Sequence, residues 1–219
     1  MRDLAKAFTY MFEDENWLAK MLVGSVFVLL SFMLIGIPFL MGYSVETIQN
    51  VMAGRTRPLT EWTDLGDKFV KGLFLGLALL IWAIPVLLLW GLGFVFFFVA
   101  VATGEGAVAL LGSGALLLYW GAGFIYQIAL GLVTPAIYIK YAEKPEFGSA
   151  FKVGEFVSMI RGNLGNFVVV FLLSYGASML AGYGFVALCI GVLFTTFWSY
   201  LVTAHLYGQL GRSLKKTEG

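Results

Sequence analysis

Long runs of apolar residues alternate along the chain with segments that hold nearly all of its charge. The runs cover roughly residues 21–41, 72–102, 107–139 and 167–207. Because about 20 consecutive apolar residues form one spanning helix, each run is long enough to cross a bilayer. The last run is too long for a single helix, and Gly182, Tyr183 and Gly184 interrupt it with a turn signal. We therefore predict that it forms two helices joined by a tight connection.

The first run allows two interpretations. Its helical pattern continues past residue 41 to Gly54, and a single helix over residues 20–54 would be about 50 Å long. The tripeptide Gly36 to Pro38 favours a reversal instead, because proline lacks a backbone donor and disfavours helix at the preceding residue. We predict two short helices, over residues 18–35 and 38–54. Whether this pair spans the bilayer or only dips into it stays open.

The positions of the basic residues decide between these interpretations. All 14 Lys and Arg residues lie in four segments: Arg2, Lys6 and Lys20; Arg55, Arg57, Lys68 and Lys71; Lys140, Lys144, Lys152 and Arg161; Arg212, Lys215 and Lys216. If each apolar unit between them is a helical hairpin, all four segments face one side, which the positive-inside rule makes the cytoplasm. The opposite connections then hold one charged residue, Glu105. The pattern predicts an all-α, polytopic protein of the inner membrane, with six helices in three hairpins and both termini cytoplasmic.

Composition agrees with a membrane protein and excludes several other classes. Of 219 residues, 60% are hydrophobic and 12% charged, and the mean hydropathy of +0.88 excludes a water-soluble domain. A net charge of +1 offers no basic face for nucleic acid. The single cysteine, Cys189, excludes an internal disulfide framework and a cysteine-based metal cluster. We expect no cofactor and no metal.

The three hairpins look like an internal repeat within a single membrane domain over residues 1–219, with units 1–54, 55–141 and 142–212 and a short polar tail over 213–219. Each is preceded by a segment of about 15 residues whose apolar positions have helical spacing, as in helices that lie in the headgroup plane. The apolar stripes are Leu4, Phe8, Met11 and Phe12; Trp62, Leu65, Phe69 and Leu73; and Val153, Phe156, Val157 and Ile160. We expect an interfacial amphipathic helix before each hairpin.

Several motifs resemble one known family. They are FEDENWLAK at residues 12–20, a GY…E…G pattern in the following helix, PLTEWTDLGDKFVKG at 58–72 and YLVTAHLYGQLG at 200–211. Together they resemble the domain of unknown function 4013 family of prokaryotic membrane proteins, nearly from end to end. The resemblance implies a polytopic inner-membrane protein and no particular activity. The phenylalanine-rich stretch at 92–106 lies outside these motifs.

A few polar residues within the apolar units are the candidate functional site. The predicted cluster comprises Glu46, Gln49, Asn50, Gln127 and His205. Helical rise places Glu46 and His205 at similar depth, roughly 10 to 14 Å from the cytoplasmic helix ends, so Glu46 would accept a hydrogen bond from His205 if the first and third hairpins pack together. An intramembrane ionisable pair is a functional candidate. The competing interpretation, which we favour, is that these side chains hold helices together.

Small residues at four-residue spacing predict close helix packing. Two such pairs are Gly72 with Gly76 and Ala177 with Ala181. Motifs for zinc peptidases, serine hydrolases and phosphate-binding loops are missing from the sequence. An enzyme, for example one that acts on lipid, is therefore the least favoured class.

Two functions remain. The preferred hypothesis is a non-enzymatic accessory, scaffold or membrane-organising subunit that contacts the lipid bilayer and either other membrane proteins or further copies of itself. The alternative is a small transporter or channel with a polar path between hairpins near Glu46 and His205. An enclosed cavity that touches both residues would favour transport, and a glycine-packed interior with both residues paired sideways would favour the scaffold.

Overall fold

The computed structural model describes residues 4–186 and 190–218, so Arg2 and Cys189 lie outside the described residues. The described part is helical and contains no strand. Its α-helices are α1 Lys6–Thr9, α2 Trp17–Ser31, α3 Gly36–Met52, α4 Leu65–Ala102, α5 Gly106–Glu143, α6 Val153–Gly182 and α7 Gly191–Glu218. Three 3-10 helices lie at Tyr10–Glu13, Phe147–Phe151 and Tyr183–Val186. The predicted all-α class is confirmed.

Three helical segments among the described residues are long and apolar enough to cross a membrane. They are Leu65–Ala102, Gly106–Glu143 and Val153–Val186. At 1.5 Å per residue the two helices of 38 residues are each about 57 Å long, well beyond a hydrocarbon core of about 30 Å. Helix α2 is apolar but has 15 residues. The apolar surface of these helices indicates a membrane protein.

The break between α2 and α3 lies two to four residues earlier in the chain than the sequence predicts. Helix α2 ends at Ser31, residues 32–35 form the turn, and Pro38 lies in the first turn of α3. Proline is compatible with a first helical turn because the backbone N–H it lacks would have no partner there. Leu34 adopts φ of 65° in this turn. The single straight helix over residues 20–54 is therefore excluded.

The predicted amphipathic segments differ from one another in the structure. The first forms the short helix α1 and the 3-10 turn that follows it. In the second, helix begins only at Leu65, so Trp62 lies in the preceding loop. The third is the start of α6, which departs from helical geometry at Asn163 with φ of −143°. Only the first is a separate element, because the other two continue into the apolar helices.

The chain divides into two compact units. One comprises Met1–Ala78 and Thr134–Gly219 and is called here the main unit; the other, Leu79–Val133, is called the helical-pair unit. In the main unit α7 packs against α2, α3 and α6. Its core contains the buried side chains Tyr10, Met21, Leu40, Tyr43, Phe197 and Leu201.

Within the helical-pair unit, the C-terminal part of α4 and the N-terminal part of α5 approach each other at glycines. A Cβ atom on Gly112 would collide with Ala100, and one on Gly123 would collide with the Trp90 ring. Tyr126 donates a hydrogen bond from its hydroxyl to the carbonyl of Trp82 at 2.8 Å. The opposite faces carry large apolar side chains that are well exposed within the unit.

Candidate functional site

A buried lysine ties three segments together at the start of α2. The Lys20 Nζ atom lies 2.8 Å from an Asp14 carboxylate oxygen and 2.6 Å from one of Glu61. Its side chain is 4% exposed. The indole N–H of Trp62 donates to the Lys20 carbonyl at 2.9 Å. Because a buried ammonium needs compensating charge, Lys20 fixes both acidic partners in place.

A second buried lysine performs the same role between α3 and α4. The Lys68 Nζ atom lies 2.7 Å from a Glu46 carboxylate oxygen and donates to the carbonyl of Thr63 at 2.7 Å. That Glu46 oxygen also accepts a hydrogen bond from the Thr60 hydroxyl at 2.8 Å, and Lys71 Nζ lies 3.6 Å from the other oxygen. The negative charge of Glu46 is therefore compensated by two lysines of the neighbouring helix.

These contacts hold a segment without regular structure, residues 55–64, which we call the 55–64 loop. Besides the two lysines, the hydroxyl of Tyr43 donates to the Thr60 carbonyl at 2.7 Å, and the Asn50 amide donates to the Pro58 carbonyl at 3.0 Å. The ring of Trp62 packs against Phe27 and Tyr43, with centroid distances of 4.7 and 4.4 Å. The loop is thus fixed by polar contacts to α2, α3 and α4 and by one aromatic side chain.

Two glycines let α3 and α4 touch beside this ion pair. A Cβ atom on Gly72 would collide with the carbonyl of Pro38, and one on Gly42 would collide with the carbonyl of Lys68. The helix backbones are in direct contact here, as small residues permit in membrane proteins. The α3–α4 contact beside the Glu46–Lys68 pair is therefore packed backbone against backbone.

The N-terminal segment lies against α7 through Tyr10. The Tyr10 ring stacks on His205 with a centroid distance of 4.3 Å, and its hydroxyl donates to the Leu201 carbonyl at 3.2 Å. Burial raises the pKa of Tyr10 well above its usual value, so the phenol stays a neutral donor. The indole N–H of Trp198 donates to the carbonyl of Phe8 at 3.4 Å. His205 is thus covered by the N-terminal segment.

A surface ion-pair network joins the end of α5, the start of α6 and the end of α7. Lys140 lies 3.2 Å from Glu143 and 3.1 Å from Glu155, Lys152 lies 3.0 Å from Glu155, and Lys215 lies 3.5 Å from Glu143. Each of these pairs is partly exposed to solvent, so each contributes little to stability. The pairs are informative because they show which helix ends lie next to each other.

The structure separates the predicted polar cluster. The contacts of Glu46 are with Lys68, Lys71 and Thr60, so the predicted hydrogen bond from His205 is absent between these two described residues. His205 Nδ1 lies 3.2 Å from the Gln209 amide nitrogen, one helical turn along α7. Glu46 and His205 thus have separate partners, because α4 and the 55–64 loop, and not α7, supply the partners of Glu46.

The remaining members of the predicted cluster are also placed individually. Gln49 donates from its amide to the carbonyl of Ala142 at 2.9 Å, which connects α3 to the end of α5. Asn50 contacts the 55–64 loop, as described. Gln127 lies in the helical-pair unit, where its side chain is exposed.

The predicted small-residue pairs lie at different kinds of position. Gly72 is at the α3–α4 contact, and a Cβ atom on Gly76 would lie 3.2 Å from the Met41 sulfur. Ala177 and Ala181 on α6 are buried.

A cavity of about 450 Å³ opens between α3, α5, α6 and α7 in the main unit. Nine of its twelve lining residues are serine, threonine or tyrosine, and the other three are alanine or glycine. Neither Glu46 nor His205 lines it. Glu46 and Asn50 instead border a more open, charged groove of about 660 Å³ beside the 55–64 loop. The described residues contain no cluster of histidine, cysteine and acidic side chains that would hold a metal ion.

Sequence reasoning missed Lys20 and Lys68 as buried residues. Each lies near the start of an apolar helix, and the charge pattern alone places both in cytoplasmic segments. A usable signal was present, because acidic residues precede both lysines: Glu13 to Glu15 before Lys20, and Glu61, Asp64 and Asp67 before Lys68. Lysine at a helix start is unfavourable for the helix dipole, which hints at a specific partner.

Comparison with known proteins identifies a family. The family model described as "Protein of unknown function (DUF4013)" matches residues 25–196. No curated protein and no solved structure matches the chain.

Proposed function

Because the chain belongs to the DUF4013 family of proteins of unknown function, whose name indicates no activity, we propose from its geometry that it is a non-enzymatic accessory or scaffold subunit. In this proposal it is an integral protein of the cytoplasmic membrane that associates laterally with other membrane proteins or with further copies of itself.

The observation that carries the proposal is the sideways pairing of Glu46 with Lys68. A proton relay needs an ionisable group that faces a path and changes its charge, whereas Glu46 is held by two lysines and a threonine next to a glycine-packed contact. Lys20 is engaged in the same way. The buried charged residues of this protein hold surface segments against the helices of the main unit, which is a structural role.

The contacts among helix ends support three hairpins that enter from one side. Gln49 near the end of α3 bonds to the end of α5, and a Cβ atom on Gly54 after α3 would touch Arg212 of α7. The ion-pair network adds the start of α6, and the buried lysines add the starts of α2 and α4. We propose that this lysine-rich end faces the cytoplasm, in accord with the positive-inside rule, and that both termini lie there.

The helical-pair unit provides a surface for association. On α5, large apolar side chains that are more than 60% exposed recur every seven residues: Leu110, Leu111, Leu117, Leu118, Phe124 and Ile125. We call this surface the α5 stripe. A seven-residue repeat keeps one helix face directed at a partner helix along its whole length.

The transport alternative finds less support. It requires one polar path that touches both Glu46 and His205, but these residues have separate partners and neither borders the hydroxyl-lined cavity. Glu46 borders the open groove beside the 55–64 loop, and His205 does not.

Site-specific photo-crosslinking in native membranes tests the scaffold. A photoreactive residue is placed at Leu111, Leu118 or Ile125 on the α5 stripe, with Val26 or Leu29, exposed on α2, as matched apolar controls. We expect a protein adduct of one constant mass from the three stripe positions and from neither control. Lipid adducts alone at all five positions would contradict the proposal.

A further inference from the structure

The hydroxyl-lined cavity of the main unit has no part in the scaffold role. On α7 its wall includes Thr196, Ser199, Tyr200, Thr203 and Tyr207. These positions lie three, four, seven and eleven residues from the first, so they share one face of the helix over about 16 Å. This helix face therefore presents a row of hydroxyl-bearing side chains to the cavity.

The other helices complete a wall of hydroxyls and aromatic rings. Tyr138 of α5 contacts Tyr207 edge to face at a centroid distance of 5.3 Å. Ser199 donates its proton to the carbonyl of Thr196 at 2.8 Å and Ser44 of α3 donates to that of Leu40 at 2.8 Å, so both present acceptor lone pairs to the cavity. Tyrosine and threonine hydroxyls both donate and accept. The wall therefore offers both halves of a hydrogen bond.

The chemistry of the wall selects a class of ligand. Its lining consists of serine, threonine, tyrosine, alanine and glycine, which bring no formal charge. A charged ligand would lose its hydration here without a counter-charge, which is costly. A ligand with several hydroxyl groups would satisfy the wall, and its C–H faces would pack on the tyrosine rings. A volume of about 450 Å³ is in the usual range of small-molecule sites.

We propose that this cavity binds a small, uncharged, polyhydroxylated group. It opens beside Ser178 and Gly182 near the end of α6, which are exposed in the structure. The same chemistry has two sources, a free polyol or sugar from solution and the sugar headgroup of a neutral glycolipid. The two sources differ in whether the ligand carries acyl chains, so one experiment with two arms separates them.

The test uses the full chain, purified in a detergent without a sugar headgroup. In the first arm, equilibrium dialysis measures the binding of radiolabelled glycerol and glucose. In the second arm, the chain is reconstituted in phosphatidylcholine nanodiscs, and binding of a labelled monoglucosyl diacylglycerol is measured. Direct binding is preferred to thermal stabilisation, because polyols stabilise many folded proteins by exclusion from their surface.

We expect saturable binding in at least one arm. The hydroxyl-deleting changes Thr203→Val and Tyr200→Phe should weaken it at least tenfold together. Thr47→Val, at a buried threonine outside the cavity, and Tyr175→Phe, at an exposed tyrosine of α6, are the matched controls and should leave it unchanged. Thr203→Val alone preserves side-chain shape, so it keeps the test decisive if the double variant does not fold.

Three results would overturn the proposal. One is the absence of saturable binding in both arms. Another is equal binding by the wild type and a folded Thr203→Val variant. The third is competition by glycerol 3-phosphate as strong as that by glycerol, since the wall has no cation for a phosphate. Binding of free sugar would identify a site open to water, and binding of glycolipid alone a site open to the membrane, and either supports the ligand class.

Discussion

Lys20, at the start of α2, holds the Glu61 carboxylate of the 55–64 loop at 2.6 Å while its ammonium also contacts Asp14 at 2.8 Å. One buried cation thereby joins the N-terminal segment, the first apolar helix and a loop about 40 residues further along the chain. The Glu46–Lys68 pair does the same for α3 and α4. Buried ion pairs thus connect separate segments of this protein, and the loss of each pair has a measurable consequence.

Replacing Lys20 with methionine should loosen the 55–64 loop. The change keeps the length of the side chain but leaves the buried Asp14 carboxylate without its cation, at a cost of about 3 kcal/mol at most because Glu61 is largely exposed. Trypsin should then cut after Arg55 at least about tenfold faster in detergent, as local opening becomes more frequent. Lys144→Met, at an exposed lysine, is the control and should leave the rate unchanged. Equal cleavage of the Lys20 variant and the wild type would rule out the fastening role.

A methyl group at Gly72 should separate α3 from α4. Alanine there meets the backbone carbonyl of Pro38, which has no flexible end that could yield. We expect Gly72→Ala to lower the free energy of unfolding by about 1 to 3 kcal/mol, as overpacked sites do. Gly66→Ala is the matched control in the same helix, because no atom lies within 4 Å of its Cβ position. Thermal unfolding in one detergent checks both variants, and a neutral Gly72→Ala would show that the helices are not in contact.

The connection between α2 and α3 should stay within the hydrocarbon. Phe32, Met33 and Leu34 are 72 to 78% exposed and form an apolar tip, whereas residues 103–105 are Thr, Gly and Glu. In a Cys189→Ser background, we expect Met33→Cys to resist a membrane-impermeant maleimide applied to the outer face and Glu105→Cys to react. Labelling of both positions would mean that the first pair of helices crosses the bilayer fully.

Much of this fold is predictable from the sequence, and the positions where the prediction fails have physical causes. The end of α4 at Ala102 agrees with the connection predicted at Thr103 to Gly106, and the end of α6 at Gly182 agrees with the break predicted at Gly182 to Gly184. Both are marked locally, the first by the loss of apolar side chains and the second by paired glycines. The sequence places the break after α2 too close to Pro38. Proline in the first turn of a helix gives the same local signal as proline in a reverse turn. Trp62 was assigned to a helix by its spacing, but its ring is used in the loop to cover Tyr43 and Phe27.

The candidate site was less predictable, for a physical reason. Depth along a helix suggested that Glu46 and His205 would meet, yet depth leaves open which helices are neighbours. Helix α4 reaches Glu46 through the Gly42 and Gly72 contact, a pairing that local pattern does not encode. The N-terminal segment covers His205 through Tyr10 for the same kind of reason.

Tyr10 should anchor the N-terminal segment mainly by packing. Tyr10→Phe removes one hydrogen bond to Leu201 and should cost about 1 kcal/mol, whereas Tyr10→Ala also removes a buried ring and should cost about 3 to 5 kcal/mol. Denaturant unfolding gives both values, with Tyr183→Phe as the exposed control. If Tyr10→Ala were as mild as Tyr10→Phe, the segment would not be seated on α7.

The structural role of buried charge is tested most directly by a double-mutant cycle of Glu46→Gln and Lys68→Met, with the free energy of unfolding measured in one detergent. Glu46→Gln leaves the buried Lys68 ammonium without its carboxylate and should cost about 3 kcal/mol, more than the pair itself contributes. Lys68→Met should cost less, because Lys71 still lies 3.6 Å from the other Glu46 carboxylate oxygen. We predict that the double variant is at least about 1 kcal/mol more stable than the sum of the single losses implies. Two single variants as stable as the wild type, with strictly additive effects, would contradict the account.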